Sequence, residues 1–104
     1  MAPTTVTVLY PSTSTFDMTY YKSTHMPLVQ KSWGQYGLQS WRIIQLAPGA
    51  PYSVQAILEF SSAEDLQKAQ ASPEAKDVME DIPKFSSEKP VFLGGELAFT
   101  QADV

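Results

Sequence analysis

The chain has 104 residues, of which 43% are hydrophobic and 17% charged, so its composition predicts one globular domain with few charges for a solvated surface. The formal net charge is −4 and the seven cations are scattered singly, which argues against a nucleic-acid-binding protein. The absence of cysteine excludes disulfides, thiolate catalysis and cysteine-based zinc sites.

Hydropathy along the chain predicts a cytoplasmic protein with no membrane partner. The first residues lack the basic segment and apolar run of a secretory signal. No apolar run approaches the ~20 residues that a helix needs to cross a bilayer.

The first third of the chain predicts a strand followed by a helical region. Val6–Tyr10 is a short run rich in β-branched residues, and a proline and a Ser/Thr-rich loop end it. Asp17 is the predicted N-cap of a helical region that reaches about Tyr36. Because Pro27 has no N–H, we expect this helix to kink or stop just past His25.

Two further strands are predicted at Leu38–Leu46 and Ser53–Phe60, joined by a turn rich in proline and glycine at 47–51. Strict alternation along the first of them places Leu38 on the same face as Arg42 and on the opposite face from Trp41. Apolar groups on both faces predict a strand that is covered on both sides.

The last third predicts two short helices and a final strand. Ser61–Glu64 has the pattern of a capping box, and Pro73 is suited to the first turn of a second helix that stops before Pro83. Val91–Phe99 alternates as a strand, in which Gly94-Gly95 indicates a bulge or a close backbone approach.

The predicted order is β-α-β-β-α-β, the ferredoxin-like arrangement of an α+β fold. We expect one domain over 1–104, with a core at 4–100 and a tail at 101–104. Helices would cover one face of such a sheet only. Pairing two sheets into a dimeric α+β barrel would cover the other face, so we expect a homodimer with the last strand or tail crossing to the partner.

His25 is the only histidine and therefore the only side chain that normally titrates near neutral pH. On a helix, Tyr21 lies one turn before it on the same face, whereas Tyr20 points elsewhere. His25 has two interpretations: a general acid/base, or a structural imidazole that bonds the Ser23 carbonyl freed by Pro27.

Two groups of segments resemble the EthD domain. The opening of that domain resembles Val8-Leu9-Tyr10-Pro11, Phe16-Asp17-Met18-Thr19-Tyr20-Tyr21 and His25-Met26-Pro27-Leu28. Its end resembles Asp81-Ile82-Pro83-Lys84-Phe85, Pro90-Val91 and Gly94-Gly95-Glu96. The resemblance covers nearly the whole chain.

The resemblance implies a homodimeric α+β barrel with an apolar pocket between sheet and helices. Related barrels include muconolactone isomerases, polyketide cyclases, monooxygenases and haem-binding enzymes. Fungal EthD proteins are associated with aromatic polyketide tailoring in secondary metabolism, including lyase steps such as decarboxylation, and other members with ether degradation. Fold alone does not choose among these activities.

The leading hypothesis is a cofactor-free enzyme that transfers protons on a small aromatic or polyketide-like compound, by decarboxylation, dehydration, cyclisation or isomerisation. His25 would be the acid/base, Tyr21 a hydroxyl donor to the substrate, and Asp81 either the carboxylate that orients His25 or a solvated cap. The predicted substrate-binding residues are Tyr20, Trp33, Trp41, Arg42 and Phe92.

Several alternatives stay open. The aromatic residues equally suit a core or interface, and Arg42 suits either an ion pair at the interface or a clamp for a substrate carboxylate. A non-catalytic dimeric carrier of hydrophobic small molecules is the main alternative to an enzyme. No cofactor or metal site is expected, because the ligand spacings are missing, and a haem-binding or monooxygenase member is a minor alternative.

Overall fold

In the computed structural model, which describes residues 2–104, four antiparallel strands form one sheet in the order β2-β3-β1-β4. The strands are β1 (Thr4–Pro11), β2 (Leu38–Gln45), β3 (Tyr52–Phe60) and β4 (Val91–Glu96). The predicted ferredoxin-like α+β fold is therefore confirmed.

The helices lie on one face of this sheet. They are α1 (Met18–Tyr20), a π-helical segment (Tyr21–His25), α2 (Met26–Trp33), α3 (Ala63–Ala71) and α4 (Pro73–Asp81). Single 3-10 turns follow at Gly34–Tyr36, Ile82–Lys84 and Gln101–Asp103. No helix in the described part of the chain is long and apolar enough to span a membrane.

The core lies between the sheet and α2 and α4. Alternate residues of β1 and β3 point into it, among them Val8, Tyr10, Ala56 and Phe60, which are all buried. The intervening residues of the same strands are only partly buried, because no second layer covers that face.

One predicted helix cap is confirmed and the other lies one residue later than predicted. The Asp17 side chain accepts a hydrogen bond from the Tyr20 N–H, so this N-cap is confirmed. At α3 the cap is Ser62, which accepts from the Asp65 N–H. The predicted capping box therefore lies one residue too early, and Ser61 bonds the Asp65 carboxylate instead.

Gly37 ends the first helical region in the left-handed conformation, with φ 98°. A Cβ at this position would lie 2.6 Å from Asp65 Oδ2 and from Ser61 Oγ. Glycine is therefore required here both by the backbone angle and by the close approach of the Ser61 and Asp65 side chains at the start of α3.

Three details of the strand predictions are wrong. Leu38 faces the core beside Trp41 instead of sharing the face of Arg42, because the β2–β3 register shifts between Leu38 and Ser40. Such a bulge places one extra residue on β2, so the side chains after it point to the opposite face from the one that strict alternation predicts. The last strand ends at Glu96 instead of Phe99, and its glycine pair stays in register with β1 without a bulge or a crowded contact.

Candidate functional site

Two distant segments of the chain meet at the end of the helical layer. The Asp17 N–H donates to the Phe85 carbonyl at 2.8 Å, and Phe16 and Ser86 form an isolated antiparallel bridge. These contacts hold the segment before α1 against the loop after α4. The side chains of the π-helical segment therefore face the C-terminal end of α4.

Pro27 shapes the backbone around His25 in an unexpected way. The helix does not stop after His25, because α2 continues from Met26. Just before the proline it forms a π turn, in which the Met26 N–H donates to the Tyr21 carbonyl, five residues back. Because Pro27 lacks an N–H, the Ser23 carbonyl has no i+4 donor, which a π turn accommodates. The turn directs His25 inward, where it is 3% exposed.

Asp81, the last residue of α4, binds three side chains with one carboxylate. His25 Nδ1 lies 2.9 Å from Oδ2, the Tyr20 hydroxyl donates to Oδ1 at 2.7 Å, and Lys84 Nζ lies 3.6 Å from Oδ1. Asp81 and His25 are buried, whereas the Lys84 side chain is 67% exposed. A buried imidazole thus has its Nδ1 fixed by a carboxylate that also reaches a surface cation.

Aromatic rings fix the plane of the imidazole. Tyr21 stacks on His25 with ring centroids 5.4 Å apart and planes inclined by 14°, and Phe85 lies 4.4 Å from the imidazole centroid. Tyr21 itself is 2% exposed and packs edge-to-face against Tyr10 and Phe16. This packing leaves the imidazole little freedom to rotate.

Burial and hydrogen bonding set the charge of each group. Burial lowers the pKa of His25, and this effect outweighs the hydrogen bond and charge of Asp81, which raise it. Burial by itself would raise the pKa of Asp81, but hydrogen bonds from Tyr20 and His25 and the nearby Lys84 hold it below its ordinary value. The hydrogen bond to Asp81 raises the pKa of Tyr20.

At neutral pH the pair is therefore a carboxylate and a neutral imidazole whose Nδ1–H donates to Asp81. Within the described residues, no hydrogen-bond partner of Nε2 is found. Nε2 thus carries a free lone pair and is the basic atom of this site.

We expect the imidazole of His25 to titrate below 6.5, its ordinary value. Asp81→Asn should lower its pKa further, because the amide removes the negative charge that favours imidazolium. Since the chain has one histidine, a single ring Cε1–H NMR resonance reports this titration. An unchanged or raised pKa in Asp81→Asn would show that the carboxylate does not act on the imidazole.

The same shifts predict how stability depends on pH. The pKa of His25 is lower in the folded protein than in the unfolded chain, so below pH 6.5 the unfolded chain binds a proton more readily. The free energy of unfolding should therefore fall as the pH drops below 6.5. It should fall again below about 3.8, where the depressed pKa of Asp81 favours the folded carboxylate. Denaturant titrations of His25→Gln should lose the upper step and keep the lower one.

The imidazole lines a small cavity that adjoins a larger cleft. The small cavity measures about 30 Å³, and His25, Tyr21 and Val78 are part of its wall. The cleft measures about 320 Å³ and lies between the sheet and the helices α3 and α4. Both are lined by Val8, Trp33, Leu58, Met79 and Phe92.

The predicted substrate-binding residues divide between the two faces of the sheet. Trp33 and Phe92 line the cleft. Trp41 lies on the other side of α2, in a separate groove of about 360 Å³, where its Nε1 donates to Gln30. Arg42 is opposite Ile57 on the uncovered face, so the structure does not bring it to the cleft.

The two tyrosines take different positions beside His25. Tyr21 stacks on the imidazole and lines the small cavity with it, on the face that the sequence predicted, whereas Tyr20 bonds the Asp81 carboxylate. The sequence analysis missed Lys84 and Phe85, although Lys84 lies three residues after Asp81 and Phe85 belongs to the same motif. The catalytic roles of His25, Tyr21 and Asp81 stay predictions.

The space beside His25 is small. The cavity of about 30 Å³ has room for one water, so any larger group that contacts the imidazole must extend into the adjoining cleft of about 320 Å³. Among residues 2–104, no group of three His, Asp or Glu side chains is placed to hold a metal ion.

Comparison with known proteins identifies the family. The model of the EthD domain matches residues 11–89, and the comparison with curated proteins gave no match. An EthD-like protein of Ralstonia eutropha has a similar structure, with a TM-score of 0.82 and 25% identity over 100% of this chain and 99% of that one.

Two more distant structures share the fold. SnoaB, a cofactor-independent oxygenase of Streptomyces nogalater, gives a TM-score of 0.73 at 10% identity, over 97% of this chain and 98% of its own. A dimeric ferredoxin-like protein of unknown function from Jannaschia gives 0.65 at 11%, over 93% and 100%. Since the model of the EthD domain matches residues 11–89, well over half of the chain, the chain belongs to the EthD domain family.

Proposed function

We propose that this protein is a cofactor-free enzyme that moves a proton on a small aromatic or polyketide-like molecule bound in the apolar cleft. The observation that carries the proposal is the buried His25–Asp81 pair, whose imidazole forms part of a cavity wall. A perturbed titratable pair beside an apolar pocket is typical of catalytic sites.

The chemistry follows from the charge state of the pair. Nε2 of the neutral imidazole would take a proton from a carbon next to a carbonyl, leaving an enolate and an imidazolium. Asp81 stabilises the imidazolium through its bond to Nδ1. Return of the proton to another carbon gives isomerisation, and its delivery to a departing hydroxyl gives dehydration. Tyr21, in the same cavity wall, is the proposed hydroxyl donor.

Asp81 also connects the imidazole to the solvent side. Together with Lys84, Asp77 and Glu80 it lines an open surface groove on the outside of α4. The carboxylate that stabilises the imidazolium therefore keeps its own charge balanced by a surface lysine, outside the apolar cleft. This supports an acid/base role more than a purely structural one.

The main alternative, a non-catalytic carrier of hydrophobic molecules, is supported by the same cleft. A test that separates the two uses 2-tetralone, a neutral aromatic ketone with acidic hydrogens at C1. We expect the protein to accelerate exchange of these hydrogens in D₂O, followed by proton NMR, with saturation at high ketone concentration. Saturable binding without any acceleration would favour the carrier.

We further propose a homodimer formed through the uncovered face of the sheet. The apolar residues Leu9 and Ile57 at its centre are only partly covered, and Ile44, Val91 and Leu93 at its sides are exposed. A four-stranded sheet with helices on one face needs a second layer to bury such residues. Leu97 and Phe99, beyond β4, are exposed too and suit a tail that crosses to the partner.

A further inference from the structure

Gly94 interrupts the side of β4 that faces the helices. It lies directly opposite Val6 of β1 and two residues after Phe92, which lies opposite Val8. Directly opposed residues of an antiparallel pair point to the same face of the sheet. Since Val6 and Phe92 line the cleft, a side chain at position 94 would point toward the cleft as well.

The fold itself does not require glycine at this position. The φ angle of Gly94 lies outside the left-handed region, which within residues 2–104 only Gly37 and Gly49 adopt. A Cβ on Gly94 would meet a single neighbour, Leu66 Cδ2, at an ordinary contact distance of 3.8 Å. The pairing with β1 is regular here, so a bulge does not explain the glycine either.

The remaining explanation is the space above Gly94. Glycine inside a strand weakens the strand, and it is typical of a bulge or of a close approach by another backbone or a ligand. No backbone of the described chain lies close to this position. Gly94 is exposed, whereas Val6 opposite it is 6% exposed. Leu66 of α3, which lies across this space, is part of the cleft wall.

We infer that Gly94 sets the length of the ligand: the cleft takes a neutral molecule of about three fused rings, whose outer ring lies over Gly94 and against Leu66. This inference rests on the proposed function, since it assumes that the cleft is the ligand site. A side chain at position 94 would end the cleft near Phe92, so Gly94 determines which substrates fit.

The dimensions of the cleft agree with such a ligand. Its volume of about 320 Å³ is about twice the ~150 Å³ of an apolar cavity that holds benzene, so it has room for more than one ring. Val8 and Phe92 line both the cleft and the small cavity of His25, whereas Val6 lines the cleft alone. Position 94 is therefore at the end away from the imidazole, about 7 Å beyond Phe92 along the strand.

The charges around the cleft favour a neutral ligand. Its wall, as far as residues 2–104 form it, contains no Lys, Arg, Asp or Glu. Transfer of a carboxylate from water into an apolar cleft without a cation carries a large desolvation penalty. Among the candidate reactions, isomerisation, cyclisation and dehydration therefore fit the cleft better than decarboxylation of a free carboxylate.

The test compares 9-fluorenone with 1-indanone, two neutral ketones that differ by one fused ring, in titrations followed by ¹H–¹⁵N NMR. The unaltered protein should bind 9-fluorenone at least about 10-fold more tightly, because the third ring buries further apolar surface. Gly94→Val should reduce this preference to about 3-fold or less and change the affinity for 1-indanone little. Gly94→Ala should give an intermediate preference.

The matched control is Gly95→Val, the same substitution at the next residue, which lies opposite Thr5 on the other face of the sheet. It should keep the full preference for 9-fluorenone. A preference that survives Gly94→Val, or that Gly95→Val removes equally, would overturn the inference and leave the cleft as a ligand site.

Stability provides a second measurement, which needs no ligand. Gly94→Ala should melt at an unchanged or higher temperature, by up to about 6 °C, because alanine restricts the unfolded chain and finds room in the folded one. A lower melting temperature would show that the fold needs this glycine, and the inference would be wrong.

Two further outcomes decide the remaining claims. If neither ketone binds, the proposed function fails and the inference falls with it. 9-Fluorenone-4-carboxylate, with the same rings but a negative charge, should bind at least 10-fold more weakly than 9-fluorenone, and affinities closer than this would overturn the neutral ligand class.

Discussion

His25→Gln should slow the protein-catalysed exchange at C1 of 2-tetralone by about 10²–10⁴-fold, the usual contribution of a general acid/base. Glutamine keeps a polar group of similar reach but cannot take up and release a proton. The fold should survive, because the imidazole makes one side-chain hydrogen bond, to Asp81, and otherwise packs between rings. The measurement is proton NMR in D₂O at a pH above 6.5, where the neutral imidazole is the base.

The matched control is Thr24→Ala, the neighbouring position of the π-helical segment, whose side chain is exposed. This variant should exchange 2-tetralone at the unaltered rate. Full activity in His25→Gln would show that the proton-transfer role is wrong. A folded, inactive Thr24→Ala would instead assign the loss to the backbone around Pro27.

Asp81 and Tyr20 should act through His25 and not on the substrate. Tyr20→Phe removes the hydroxyl that donates a hydrogen bond to Asp81 Oδ1, and so leaves more of the carboxylate's negative charge to act on the imidazole. We expect the pKa of His25 to rise, and the lower limb of the pH–rate profile to move to higher pH with it. A change of rate without any shift of this limb would place Tyr20 in contact with the substrate.

The element order and the cap at Asp17 could be predicted because they depend on local patterns. The Asp17 side chain acts on the backbone next to it, and β-branched alternation marks β1 and β3. The family motifs also offered Asp81 as the carboxylate that orients His25, with a solvated cap as the alternative, and the two side chains lie 2.9 Å apart. Local patterns and motifs thus predicted the order of the elements and offered this pair.

The remaining features depend on contacts between distant parts of the chain. A bulge at Gln39 reverses the faces of β2, and no local signal distinguishes it from regular alternation. The choice between Tyr20 and Tyr21 depends on where α4 ends, since only Tyr20 reaches Asp81.

Leu93→Glu should convert the proposed homodimer into a monomer. Leu93 lies opposite Thr7 on the uncovered face and is 54% exposed in one chain, so the substitution should leave the fold of that chain intact. In the dimer two carboxylates, one from each copy, would be buried without a partner, and each costs about 3–5 kcal/mol. The dimer should therefore be weakened by at least about 10²–10⁴-fold, measured by sedimentation over a range of concentrations.

Two companion variants test the reason for the effect. Leu93→Lys, of opposite charge, should weaken the dimer comparably if burial is the cause, since neither charge then finds a partner. Gln67→Glu adds the same charge on the exposed side of α3 and should leave the dimer unchanged. A protein that is already monomeric at micromolar concentration, or a dimer that tolerates both charges at Leu93, would show that the uncovered face of the sheet is not the interface.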